Sequence, residues 1–350
     1  MSAERRVRKT SEWSSGAENV FHVGTTLVRA VFINMSKPRK RRRLSREGSK
    51  VLCSSLVAGF ACLLLCPPAF TQSNDYQQAV QRYEKKDYTS ALSLEERALQ
   101  QDKNDARWRH LYGLTLAALG RFPEGEDNLR RAVASEPQQA TFCYDLGYVL
   151  YQEKKYAEAF DPLKRAIELD GDNLQARFLL GRVYVSAYPV LGNPDFIRLS
   201  LEQFEFIAKK DERYPLVHYH LALLHGFEGK LPEEREELLA QLKYYPHDVE
   251  ARVELGEVLL KMGQTRNALD QLLRAEKQAP EMSLVHFDLA KVYRRTHQTA
   301  QALEAARKCV ELDPQFADGH YLLGQLYRET DQPELAQREI ERFHQLQGKP

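Results

Sequence analysis

Cysteine is scarce, with five among 350 residues, and three of them (Cys53, Cys62 and Cys66) crowd into one apolar stretch. The remaining two, Cys143 and Cys309, lie far apart. The body therefore has neither a disulfide framework nor the ligand spacing of a cysteine-built zinc site. Also missing are a phosphate-cradling glycine loop, a G-x-S-x-G elbow and an H-E-x-x-H helix. His218, His220 and His225 form the one local histidine group. On a helix the first and last share a face while His220 points elsewhere, so no metal site is expected. Acidic pairs such as those in PEEREELL and SLEERALQ have the density of solvated helix faces. No catalytic residue, metal or cofactor is assigned.

A surplus of positive charge is missing from most of the chain. The first 50 residues hold 13 Lys/Arg and 4 Asp/Glu, which leaves 37 basic against 45 acidic groups beyond them. An acidic body lacks the surplus of cations that a phosphate backbone requires, so nucleic acid is not an expected partner.

Long hydrophobic runs are absent but for one. Residues 37–50 (KPRKRRRLSREGSK) are basic, the next sixteen (VLCSSLVAGFACLLLC) carry no charge, and PPAFTQS follows. Basic, apolar, then small is the order of a secretory signal, with cleavage after Thr71 or Ser73. The run is short of the roughly 20 residues that span a bilayer. Three readings stay open for residues 35–73: a cleaved signal, a retained anchor through 51–66, or lipidation at Cys66. The PRKRRR run also has the composition of a nuclear address, which the apolar stretch behind it argues against. Residues 1–34 precede such a signal awkwardly, and translation from Met35 would account for them. An exported protein, periplasmic or secreted, is the expectation, with membrane contact only through this segment.

From residue 74 to 350 a period takes over. Small residues recur at Ala79, Gly113, Gly147, Gly181, Ala222, Gly256, Ala290 and Gly324, spaced by 34 except for one interval of 41. A second small residue follows twelve positions later at Ala91, Gly125, Ala159, Ala268, Ala302 and Ala336, and at Ser200 after a delay of seven. A third falls at Ala98, Ala132, Ala166, Ala275 and Cys309. Pro137, Pro246, Pro280 and Pro314 close four of the units. Leu or Tyr flanks most of the first series.

This skeleton resembles the tetratricopeptide repeat, in eight units of about 72–105, 106–139, 140–173, 174–214, 215–248, 249–282, 283–316 and 317–350. The resemblance implies an all-α, right-handed solenoid of antiparallel helix pairs, A then B. Small residues where helix axes cross allow close approach, and larger side chains fill the grooves between. One hairpin cannot bury its own apolar face, so neighbours must stack. Several departures stand out. The tryptophan expected near the start of helix A is replaced by Cys143, Arg177, His218, Arg252, His286 and His320. Unit five has Glu234 and Gln241 at small positions, which predicts a shifted or loose helix B. The seven extra residues of unit four, around SAYPVLGNPDFIRLS, are expected to lengthen the turn between its helices.

The resemblance further implies a protein-binding scaffold whose helix A residues line a concave groove. Three residues before each small anchor lie Tyr76, His110, Tyr144, Phe178, Tyr219, Val253, Phe287 and Tyr321, an aromatic series either facing a partner or packing one helix A on the next. One and four residues after the anchor come Tyr148, Tyr151, Arg182, Lys291, Arg294, Gln325 and Arg328. The groove thus reads as aromatic toward its start and basic toward its end. The Asn and Arg needed to grip a C-terminal carboxylate, as some family members do, are absent two residues before the anchors. A protein or peptide partner is expected. Self-association through Ile340 and Phe343 is the alternative.

Overall fold

The computed structural model describes residues 69–348, and the expectations for residues 1–68 lie outside them. Sixteen α-helices and no strand occur among the described residues. They are α1 (Ala69–Glu84), α2 (Tyr88–Gln101), α3 (Ala106–Ala118), α4 (Phe122–Ser135), α5 (Ala140–Gln152), α6 (Tyr156–Leu169), α7 (Leu174–Leu191) and α8 (Asp195–Lys210). Then follow α9 (Val217–Phe227), α10 (Leu231–Tyr244), α11 (Val249–Lys261), α12 (Thr265–Gln278), α13 (Ser283–Arg295), α14 (Thr299–Leu312), α15 (Ala317–Glu329) and α16 (Pro333–Gln347). Odd-numbered helices are the A helices and even-numbered ones the B helices of eight units. α1 begins ahead of Thr71 and Ser73, so the expected cleavage points fall within it. The chain divides into two compact units at Phe196/Ile197, in the first turn of α8.

Each unit is an all-α stack, in which α2, α4, α6, α10, α12 and α14 each pack on the A helix before and the A helix after. Local chemistry starts and stops these helices on schedule. Asp105, Asn173 and Asp248 cap α3, α7 and α11, each accepting from a backbone N–H of the first turn. The A helices end in a left-handed residue seven positions past the small anchor: Lys86, Gly120, Lys154, Gly229, Gly263, His297 and Asp331. The next N–H then reaches back to the carbonyl five residues earlier, as Arg121 does to Leu116 and Gln264 to Leu259, closing the helix with orphan carbonyls satisfied. At the other ends, α4, α10, α12 and α14 stop two residues short of Pro137, Pro246, Pro280 and Pro314.

Small residues sit where the helices cross. A Cβ on Gly113 would lie 2.9 Å from the backbone oxygen of Gly125 and from Leu129 Cγ. Leu129, Leu163, Leu238 and Leu272 fill equivalent places, all fully buried. Close crossing and full burial at one point are how a 34-residue unit secures its share of a continuous core.

Two expectations need correction. The extra residues of unit four extend the helix rather than the turn: α7 runs on through Tyr188, the place of the left-handed residue elsewhere, to a left-handed Gly192. Nothing in VSAYPVL breaks a helix before Pro189, whose ring is tolerated near the end. Unit five is not loosened either. α10 keeps the standard length, Leu238 is fully buried, and Glu234 and Gln241 are 3% and 1% exposed. Gly226 on α9 makes this room, since a Cβ there would lie 2.5 Å from Glu234 Cδ. Gln241 donates to the Asp248 carboxylate at 2.8 Å, tying α10 to the cap of the next unit.

Candidate partner-binding surface

In the N-terminal unit the aromatic series is largely internal. Tyr76 meets Trp108 edge-on at 5.0 Å beneath the Arg107 guanidinium, and burial pushes its hydroxyl pKa up to about 12. His110 is a correction to the groove reading: it is 2% exposed, stacks on Phe142 at 4.3 Å, and holds Asp145 Oδ2 at 2.7 Å across the α3–α5 boundary. Phe178 is buried too. Tyr144 and Tyr148 on α5 remain half-exposed, the first resting on the Cys143–Ala166–Ala176 cluster and the second accepting from Gln152 at 2.7 Å. Beside them Arg182 of α7 lies over the Tyr151 ring at 5.1 Å and donates to its hydroxyl at 3.0 Å. This structure thus brings Tyr144, Tyr148, Tyr151 and Arg182 together on adjacent A helices.

In the C-terminal unit, Tyr219, Val253 and Phe287 are buried to 3%, 1% and 4% exposure, so packing rather than contact with solvent is their environment. Burial raises the Tyr219 hydroxyl well above its usual range. Tyr321 differs, standing 43% exposed against Phe343 at 5.0 Å. The basic series is mostly neutralised internally, against the expectation of a cationic end. Lys291 Nζ is 2.7 Å from Asp288 and covers the Phe287 ring at 5.1 Å. Arg294 donates to Glu329 at 2.9 Å and to Gln325 at 2.6 Å, and Arg295 to the Leu260 carbonyl at 3.3 Å. Arg328 is exposed, over a shallow recess with Pro333, Gln337 and Ile340.

Where the sequence replaces the tryptophan of helix A, most of the substitutes form hydrogen bonds that the sequence alone does not reveal. Arg177, His218, Arg252, His286 and His320 each bond the carbonyl six residues upstream, in the turn entering their helix: Gly171, Glu212, Pro246, Pro280 and Pro314. Arg109, His218, Arg252 and His320 also reach nineteen residues downstream, to Asn128, Glu237, Gln271 and Glu339 on helix B. The signal in the sequence is an Arg or His at one register position of the repeat, at Arg109, Arg177, His218, Arg252, His286 and His320, interrupted by Cys143.

The three clustered histidines serve different partners: His218 binds Glu237, His220 stacks on Phe204 at 4.9 Å, and His225 lies 3.7 Å from Glu228. Among the described residues no group of three or more His, Cys, Asp or Glu is placed to hold a metal. No helix among them is long and apolar enough to cross a membrane.

Comparison with known proteins fits this geometry. The tetratricopeptide repeat family matches over residues 111–173, 285–316 and 305–338. The human protein described as N-alpha-acetyltransferase 16, NatA auxiliary subunit, is 23% identical over 246 residues. That match takes in 59% of this chain but only 28% of the relative's length. A tetratricopeptide repeat protein from Parabacteroides merdae superposes with TM-score 0.52 at 13% identity, over 74% of this chain and 99% of that one. The C-terminal part of a repeat-containing protein from Cytophaga hutchinsonii gives 0.57 at 13% identity, over 71% and 99%. PilF of Pseudomonas aeruginosa gives 0.52 at 17% identity, over 60% and 93%. At such identities the structural likeness speaks for the fold alone. With the 34-residue period, the helix pairs and these matches all in agreement, the chain is a tetratricopeptide repeat protein, built as a scaffold for protein–protein interaction.

Proposed function

We propose that this protein is a non-enzymatic adaptor working outside the cytoplasm, holding a segment of a partner protein along its A helices. The observation that carries the reading is the half-exposed pair Tyr144 and Tyr148 on α5, next to Arg182 stacked on Tyr151. Tyrosine offers a large contact area with few rotors to freeze, and Tyr and Arg dominate binding hot spots. The exported setting rests on the basic, apolar, small order of residues 37–73. Sequencing the N-terminus of protein purified from its own cells tests that setting, and a chain intact from residue 1 in the soluble cytoplasmic fraction would refute it.

The adaptor reading is tested by Tyr144→Ala with Tyr148→Ala, after affinity capture has identified what the wild type holds. The double variant should keep its helical circular dichroism and lose the captured protein. Unchanged capture would remove this face from consideration.

A second reading, a self-assembling structural subunit, is favoured by Tyr321, exposed at a position where Tyr219, Val253 and Phe287 are buried. Such an open apolar face suits a helix from a second copy. Sedimentation at tens of micromolar decides, and a clean monomer ends this alternative.

A further inference from the structure

We propose that the C-terminal unit carries proton-operated staples: His218 and His320, each wedged between a backbone carbonyl and a glutamate, clamp their helices only as imidazolium. In each, Nδ1 lies 2.6 Å from a carboxylate oxygen, of Glu237 or Glu339. Nε2 lies 3.0 Å from the Glu212 carbonyl, or 3.2 Å from that of Pro314. A carbonyl and an ionised carboxylate only accept hydrogen bonds, so both ring nitrogens must donate, and a neutral imidazole has one donor. On losing its proton the ring turns one lone pair toward an acceptor, and one arm of the staple fails.

The equivalent positions of other repeats support this requirement. Arg252 joins the Pro246 carbonyl and Gln271 in the same way, Arg177 takes the Gly171 carbonyl, and Arg109 takes Asn128. Arginine supplies several donors at any accessible pH, whereas histidine changes charge near neutrality. Permanent donors therefore stand at this column at Arg109, Arg177 and Arg252, and switchable ones in the first and last A helices of the C-terminal unit. His286 is not part of the device. Its Nε2 is 2.7 Å from the Pro280 carbonyl, but Glu276 is 3.7 Å from Nδ1, so a neutral ring satisfies it.

The charges around each ring are mixed. His218 faces Glu237 and, across 6.1 Å, the Tyr244 ring of α10, with Lys243 beside it; Glu212 and Arg213 lie in the preceding turn. His320 faces Glu339 of α16, whose Arg342 approaches the same Pro314 carbonyl at 3.5 Å. Each staple joins the entry turn of a repeat to that repeat's helix B. Its release loosens α9–α10 and α15–α16 while leaving α11–α12, held by Arg252, as it was.

Hydrogen exchange on the full chain, corrected for intrinsic rates and compared at about pH 5.5 and about pH 8, tests this directly. Protection of α9–α10 and α15–α16 should fall on the order of tenfold at the higher pH, the effect of one hydrogen bond to a charged group. α11–α12 should hold steady. In the His218→Arg, His320→Arg variant the two regions should stay protected at both values. Equal protection of wild-type α9–α10 and α15–α16 at the two pH values would overturn the proposal. So would an equal fall in α11–α12, or the same fall in the arginine variant.

Discussion

The Thr115 hydroxyl lies 2.8 Å from Oε1 of Glu95, between α2 and α3, at a level where other repeats hold only hydrocarbon. Glu95 is fully buried and occupies the place of Leu129, Leu163, Leu238 and Leu272. Thr115 likewise stands where Val149, Val183, Val258 and Val292 stand. Burial outweighs the hydroxyl's help and pushes the Glu95 pKa up to about 8, so the carboxyl is neutral at pH 7.

This sets a pH dependence whose sign is fixed. Between the ordinary glutamate value of 4.5 and about 8, folded Glu95 keeps a proton that the unfolded chain releases. Stability therefore is greatest below that window, declines as pH rises through it, and levels off above it, at most about 1.4 kcal/mol per pH unit. The difference in urea midpoint between wild type and Glu95→Gln, followed from acid to alkaline pH, should trace this decline. A constant difference would mean that the carboxyl does not titrate there.

Gly226 and Glu234 should be energetically coupled. Gly226→Ala places a methyl against the buried carboxyl and should cost about 1–3 kcal/mol. Adding Glu234→Ala, the residue most other repeats carry here, should return most of that loss. A double-mutant cycle measures it, and simple additivity would contradict the compensation.

Lys154 holds a left-handed backbone, φ 60°, where Gly120 and Gly263 stand in other repeats. A side chain there strains against the following carbonyl, so Lys154→Gly should raise stability by about 1 kcal/mol. Lys154→Ala keeps a Cβ and should not. Thermal melting of the two variants distinguishes backbone strain from loss of the lysine charge.

Asp288 is 2% exposed and pairs with Lys291, whose Nζ lies 2.7 Å away. Lys291→Ala removes a cation paired with a buried carboxylate and should cost about 3 kcal/mol. Combining it with Asp288→Leu, the residue type at Leu111, Leu179 and Leu322, should restore stability. Chemical denaturation of the single and double variants checks both outcomes.

The column of small residues was legible because a crossing between helices tolerates no alternative: whatever the flanking side chains, an axis cannot approach past a Leu. Helix ends were legible at the prolines for a similarly local reason. The extra turn of α7 was not, because seven added residues read equally as loop or helix until the left-handed residue is located, and it moved to Gly192. Glu234 looked like a defect because its compensation, Gly226, lies on another helix. Of the candidate groove residues, Tyr144 and Tyr148 are half-exposed on α5, while Arg182, His110 and Lys291 are engaged by Tyr151, Asp145 and Asp288.

What the amino-acid order determined unaided is the repeating pair of helices, since periodicity, caps and crossing points act over a few dozen residues at most. Which polar side chains face solvent was decided only by tertiary structure. An arginine or histidine has the same chemistry in every repeat, but its partner lies nineteen or thirty-five residues away, and only stacking brings the two within hydrogen-bonding distance.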